Sequence, residues 1–170
     1  NYFDGNIPES IGNLSQLTEL YFSQNQLSGN IPNSIGNLSS LTMLSIYNNY
    51  ISGEIPDSIG ELINLISFNA GYNQLEGNIP FSLGNLVNLQ RLWLNFNNLS
   101  GGVPYTICDL TLLEWSPYGF SGDHSYLNNN KLCPPYPECI QEYVGSQDIH
   151  SCLNVELGDI NYDGVINVQD

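Results

Sequence analysis

Apolar residues return at fixed places along this chain. The pairs Ile7-Pro8, Ile31-Pro32, Ile55-Pro56, Ile79-Pro80 and Val103-Pro104 recur every 24 residues. Leu14, Leu38, Leu62, Leu86 and Leu110 keep the same step, as do Leu17, Leu41, Leu65, Leu89 and Leu113. Polar and flexible positions share the phase: Asn25, Asn49, Asn73 and Asn97, then Gly29, Gly53, Gly77 and Gly101. A period of this length marks a solenoid, in which one coil cannot bury its leucines but several stacked coils can. In Leu20-Tyr21-Phe22 and Leu92-Trp93-Leu94 the alternation is that of a strand buried on one face. Pro lacks an N–H, so each Ile-Pro step belongs on the convex side and not in a central strand. The in-phase asparagines carry both donor and acceptor groups, which predicts a ladder to backbone amides inside the coil. No stretch of a dozen residues has helical periodicity.

Each unit reads L-x-x-L-x-x-L-x-L-x-x-N-x-L-S-G-x-I-P-x-x-I-G-N. This resembles the leucine-rich repeat, specifically the plant-type variant carrying L-x-G-x-I-P, over roughly residues 1 to 140. The resemblance implies an α/β-type repeat solenoid, mostly β and irregular. It would be a right-handed coil with a concave parallel sheet, short extended or 3₁₀ segments on the convex side, and a disulfide-bearing C-terminal cap. Residues 1–113 hold the repeats, the first one truncated. Residues 114–152 hold an atypical last repeat and the cysteine-containing cap, and residues 153–170 a linker and a further motif. The atypical repeat follows from a longer step: Leu99, Pro104 and Ile107 find counterparts in Leu132, Pro137 and Ile140, 33 residues on. The insertion falls between Glu114 and Tyr126, and a terminal repeat is expected to differ because it seals the core.

Four cysteines, Cys108, Cys133, Cys139 and Cys152, cluster in the last third of the chain. An even number in this setting predicts disulfides and an oxidising, extracellular compartment. Their spacing lacks the CxxC knuckle of a zinc site. Resemblance to the cysteine-bearing caps of extracellular repeat proteins implies Cys133 with Cys139, leaving Cys108 with Cys152. Stacking offers a competitor, since Cys139 lies two residues out of phase with Cys108 one repeat earlier.

Charge narrows the partners. The formal net charge is -15, with Arg91 and Lys131 the only Lys or Arg residues. Nucleic acid needs a cationic footprint, so it is excluded as a partner, and an anionic membrane is disfavoured on the same ground. No window reaches the 18 to 20 apolar residues of a membrane span. The sequence opens on Asn1, part-way through a repeat, and stops inside another motif, so it is read as a fragment. The N-x-[ST] triplets at Asn13, Asn37 and Asn98 are generated by the repeat itself and matter only in a eukaryotic secretory host.

The motif at the end matches a twelve-residue calcium loop. Asp159, Asn161 and Asp163 occupy ligand positions one, three and five, Gly164 the sharp turn, Val165 a backbone-carbonyl position and Asp170 position twelve. The wording G-D-x-N-x-D-G-x-I-N-x-x-D resembles the first loop of a dockerin module. That resemblance implies bound calcium, a cohesin-like scaffold as partner and a microbial secreted source. The plain rival is a polar linker with accidental carboxylate spacing.

Strand residues pointing away from the core predict a ligand surface on the concave sheet. They are Tyr21, Ser23, Gln24, Tyr47, Asn48, Asn69, Tyr72, Arg91, Trp93, Asn95 and Phe96. Aromatic rings among amides and hydroxyls suit a peptide, a protein or a glycan; alternatively they only raise strand propensity. Motifs of nucleophilic, metalloprotease or phosphate chemistry are missing. Asp123-His124 reads as a solvated loop, and Glu54 and Asp57 as solubilising charge on the convex side. The expected function is a non-catalytic extracellular recognition module tethered through its tail. The alternatives are a structural or adhesive spacer, or the accessory region of a secreted polysaccharide-degrading enzyme whose catalytic domain lies elsewhere.

Overall fold

The computed structural model describes residues 2–116 and 124–154. Strands β2 (Glu19–Tyr21), β4 (Met43–Ser45), β6 (Ser67–Asn69) and β8 (Arg91–Trp93) form the parallel concave sheet. The register holds the repeat step, Leu20 opposite Leu44, Leu44 opposite Phe68 and Phe68 opposite Leu92. These residues point inward, between 0% and 7% exposed. They join Leu41, Leu65 and Leu89 in one continuous core. The coil that carries the larger Phe68 carries Ala70 two positions on, where its neighbours have Ile46 and Leu94. The small Ala70 leaves room for the larger ring in the same coil.

A second parallel sheet runs alongside, where the pattern predicts only extended segments. It contains β1 (Asp4–Asn6), β3 (Gln26–Gly29), β5 (Tyr50–Gly53) and β7 (Gln74–Leu75). A separate pair, β9 (Ser100–Gly102) with β10 (Lys131–Cys133), continues the same side. Gly53 shows why glycine ends these strands. Its φ is +73°, and a Cβ would sit 2.6 Å from the Oδ1 of Asn30, which lies across it.

On the convex side each Pro opens a 3₁₀ turn: Glu9–Asn13, Asn33–Asn37, Asp57–Glu61, Phe81–Asn85 and Tyr105–Asp109. The missing Pro N–H costs nothing at such a start, and the first bond runs from Ile35 N–H to the Pro32 carbonyl at 3.0 Å. Helical structure among the described residues is of this 3₁₀ type. Successive turns touch through backbone: a Cβ at Gly36 would lie 2.6 Å from the Ser58 carbonyl oxygen.

The predicted asparagine ladder is present and binds two coils at once. Asn49 donates from Nδ2 to the carbonyls of Ile46 (3.0 Å) in its own coil and Phe22 (2.9 Å) in the preceding one. Its Oδ1 accepts the Leu27 N–H at 3.0 Å. Asn73 and Asn97 repeat this, accepting from Ile51 and Leu75, and Asn130 accepts from Leu99 at 3.1 Å. The series does not stop there. Gln147 accepts the Leu132 N–H (3.2 Å) and donates to the carbonyls of Leu127 (2.9 Å) and Val144 (2.7 Å). A longer amide thus ends the ladder within the cap.

The insertion lies between Trp115 and Ser125, which form a bridge. The fully buried Ser125 replaces a core leucine, and its hydroxyl accepts the Leu92 N–H at 3.0 Å. The cap disulfides are Cys108–Cys139 and Cys133–Cys152, with Cα separations of 5.8 and 5.4 Å. The pairing of Cys133 with Cys139 implied by resemblance is overturned in favour of stacking. Cys108 stands where four earlier coils have Gly12, Gly36, Gly60 and Gly84 at the close convex contact. A bond to the next coil replaces that contact. Cys133 ends β10, and the turn Ile149–Asn154 that carries Cys152 packs on this strand.

Two outcomes follow for stability. Asn49→Ala leaves buried carbonyls and an amide unpaired, so it should lower unfolding free energy by about 2–3 kcal/mol; a urea titration showing under half a kcal/mol would contradict the ladder. Opening the Cys108–Cys139 link, which spans 31 residues, should cost about 3–4 kcal/mol. The check is a melting curve of the Cys108→Ser, Cys139→Ser pair, expected well below that of the parent chain.

Candidate functional site

The solvent side of the concave sheet carries Tyr21, Ser45, Asn69 and Trp93 in one line and Arg91 in the line beside it. Tyr21 is 56% exposed and donates its hydroxyl to the Met43 sulfur at 3.0 Å. Desolvation and the neighbouring Glu19 carboxylate hold this phenol above its ordinary pKa. Ser23 and Ser45 share a hydrogen bond at 2.6 Å, and Asn69 accepts the Gly71 N–H at 3.2 Å. Much of the polar face is therefore preorganised.

Four predicted residues occupy a special place. Gln24, Asn48, Tyr72 and Phe96 sit where each coil leaves the concave sheet, with φ of 58°, 55°, 56° and 54°. Left-handed backbone suits Asn but disfavours a bulky ring. Tyr72 and Phe96 nonetheless hold it, and each is 41% exposed. Their rings stack at 4.3 Å with 24° between planes, and Tyr47 meets Tyr72 edge-on at 5.4 Å. The three rings make a ridge parallel to the solenoid axis.

Asn95 departs from the expected ligand face. It is buried, 8% exposed, because the coil before it has Gly71 at the matching position. Its Oδ1 settles over that bare backbone, 2.8 Å from where a Cβ would stand. Arg91 opens β8, at the end of the strand away from the ridge. It lines a hollow of about 380 Å³ with Gln90, Leu112 and Glu114. Among the described residues no carboxylate forms an ion pair with it, and its buried Nε has no hydrogen-bond partner. The equivalent of Trp93 in the last coil, Tyr126, is buried. The exposed aromatic run therefore ends at Trp93 and Phe96.

Elsewhere, His150 and Asp148 form a solvent-exposed pair at 2.6 Å. The hydrogen bond from His150 lowers the Asp148 pKa. His124 is described, whereas Asp123 and the calcium-loop residues Asp159, Asn161, Asp163, Val165 and Asp170 lie outside the described residues. Among the described residues no group of three or more His, Cys, Asp or Glu could hold a metal ion. No helix among them is long and apolar enough to cross a membrane.

Comparison with known proteins fits this geometry. The family model for the Leucine Rich Repeat matches residues 16–38, 40–62, 64–86 and 88–110. No curated protein sequence matches the chain. Among solved structures, the PEPR1–AtPEP1 complex is 34% identical with a TM-score of 0.75, covering 82% of this chain and 18% of that one. The plant peptide hormone receptor RGFR1 in complex with RGF2 is 40% identical at a TM-score of 0.66, covering 78% and 24%. A plant ice-binding protein is 32% identical at a TM-score of 0.65, covering 76% and 39%. The chain thus spans a quarter or less of the first two of those chains. With its in-phase coils matched across more than half of the sequence, this chain belongs to the leucine-rich-repeat family.

Proposed function

We propose that this chain is a non-catalytic extracellular recognition module that captures a peptide or protein segment on its concave sheet. The observation that carries the reading is the Tyr47–Tyr72–Phe96 ridge. Two of its rings are held in a backbone conformation that disfavours them, yet they face solvent. Strain kept at exposed aromatics points to use, since folding alone would favour Asn there. Rigid rings bring contact area with little entropy to lose, and the adjacent Ser23, Ser45 and Asn69 supply hydrogen-bonding groups for a peptide backbone. Similarity to a plant peptide hormone receptor solved with RGF2 supports a peptide as the ligand class. The cysteine pairs suit an oxidising, extracellular setting.

The tail completes the reading. Asp159, Asn161, Asp163, Asp170 and the Val165 carbonyl would hold calcium and join the module to a cohesin-like scaffold. Calorimetric titration with Ca²⁺ should show a saturable site in the parent chain that Asp159→Ala abolishes; equal heats from both would leave only a polar linker.

The ridge is tested with residues the repeat already uses. Asn48 and Asn129 occupy the same left-handed position in other coils. Tyr72→Asn and Phe96→Asn should therefore leave the melting temperature unchanged or raised. Peptides selected from a displayed random library on the parent chain should bind either variant at least about tenfold more weakly, the loss of one ring's contact. Selected peptides that bind both variants as tightly as the parent would favour a spacer role instead.

A further inference from the structure

A second concavity lies on the opposite flank, between the second sheet and the row of 3₁₀ turns. It is a trough of about 640 Å³ with a floor of Ile55-Pro56, Ile79-Pro80 and Pro104. One wall comes from Glu54 and Asn78, and the other from Asn33, Asp57 and Phe81. Phe81 meets Tyr105 edge-on at 5.9 Å, extending the aromatic part of that wall into solvent, where Tyr105 is 59% exposed. The first wall is built by the glycine contacts: Glu54 lies across Gly77 and Asn78 across Gly101. In the following coil the equivalent residue is Gly102, which has no side chain to continue the wall. The trough therefore runs along the solenoid axis and opens at that end.

We propose that this trough binds a neutral, extended β-1,4-linked polysaccharide chain, one sugar per coil. Paired parallel strands lie about 4.8 Å apart, close to the advance of one sugar along such a chain. Each coil then presents the same pair of wall positions to each sugar. The carboxylates of Glu54 and Asp57 accept from hydroxyls, the amides of Asn33 and Asn78 both accept and donate, and Phe81 offers a ring to the apolar face of a pyranose. No Lys or Arg lines the trough, and the two carboxylates repel anionic glycans. These carboxylates, which as isolated residues read as solubilising charge, thereby gain a common task. The trough is independent of the concave ridge, so either site can fail without the other.

The test is calorimetric titration of the chain with cellohexaose, mannohexaose and xylohexaose. At least one should bind saturably. Phe81→Asn, which installs the residue found at the same position in Asn33, and Asp57→Ala should each weaken that binding at least tenfold with unchanged melting temperature. Tyr72→Asn on the concave side should leave it as it was. The proposal is overturned if none of the three binds, or if binding survives both trough substitutions. It is also overturned if hexalysine, and no hexasaccharide, binds in a manner sensitive to Asp57→Ala, which would make the trough a site for basic peptides.

Discussion

One hydrogen-bonding habit fixes the rest of this molecule: each in-phase amide serves two coils. Asn49, Asn73, Asn97 and Asn130 close the turn of their own coil and hold an N–H of the coil before. Buried backbone groups must be paired, and leaving one unpaired costs about 1–3 kcal/mol. A coil cannot slip by one residue without losing several such bonds together. Phase is thereby locked, and with it every side-chain column on the surface. The left-handed turn that carries Tyr72 and Phe96 directly precedes these asparagines, so the ladder also sets where the aromatic ridge stands.

Repetition converts single residue choices into lines, and the breaks in those lines carry the chemistry. Gly71 interrupts a column, and Asn95 sinks over it while Tyr72 and Phe96 stay exposed. Glu54 replaces an asparagine in the flank column, and Gly102 ends the column altogether. Cys108 replaces a contact glycine and ties the last full repeat to the cap. The fold spends its uniform positions on stacking and leaves its irregular ones to recognition.

Much of this was legible in the residues. The 24-residue step revealed the solenoid, the inward leucines and the asparagine ladder, because periodic burial leaves a periodic sequence. The second sheet was not legible as a sheet: Gln26–Gly29 and its counterparts are too short and too polar for a strand pattern. The burial of Asn95 was hidden because it depends on a glycine one coil earlier, not on its own neighbours. The left-handed backbone at Tyr72 and Phe96 had a faint signal in the Asn48 of the same phase. Gln147 gave none, since the cap path that delivers it to Leu132 lies beyond the periodic stretch. Cysteine pairing turned on that same path, so resemblance misled where stacking geometry did not.

Native-state hydrogen exchange tests the central claim most directly. The amides of Leu27, Ile51, Leu75 and Leu99 donate to the ladder side chains and not to strand partners. If the ladder locks the coils, these four exchange slowly and share one opening free energy close to that of global unfolding. Rapid exchange at these amides, while Leu44 and Phe68 in the concave sheet stay protected, would show that the sheet alone holds the coils in phase.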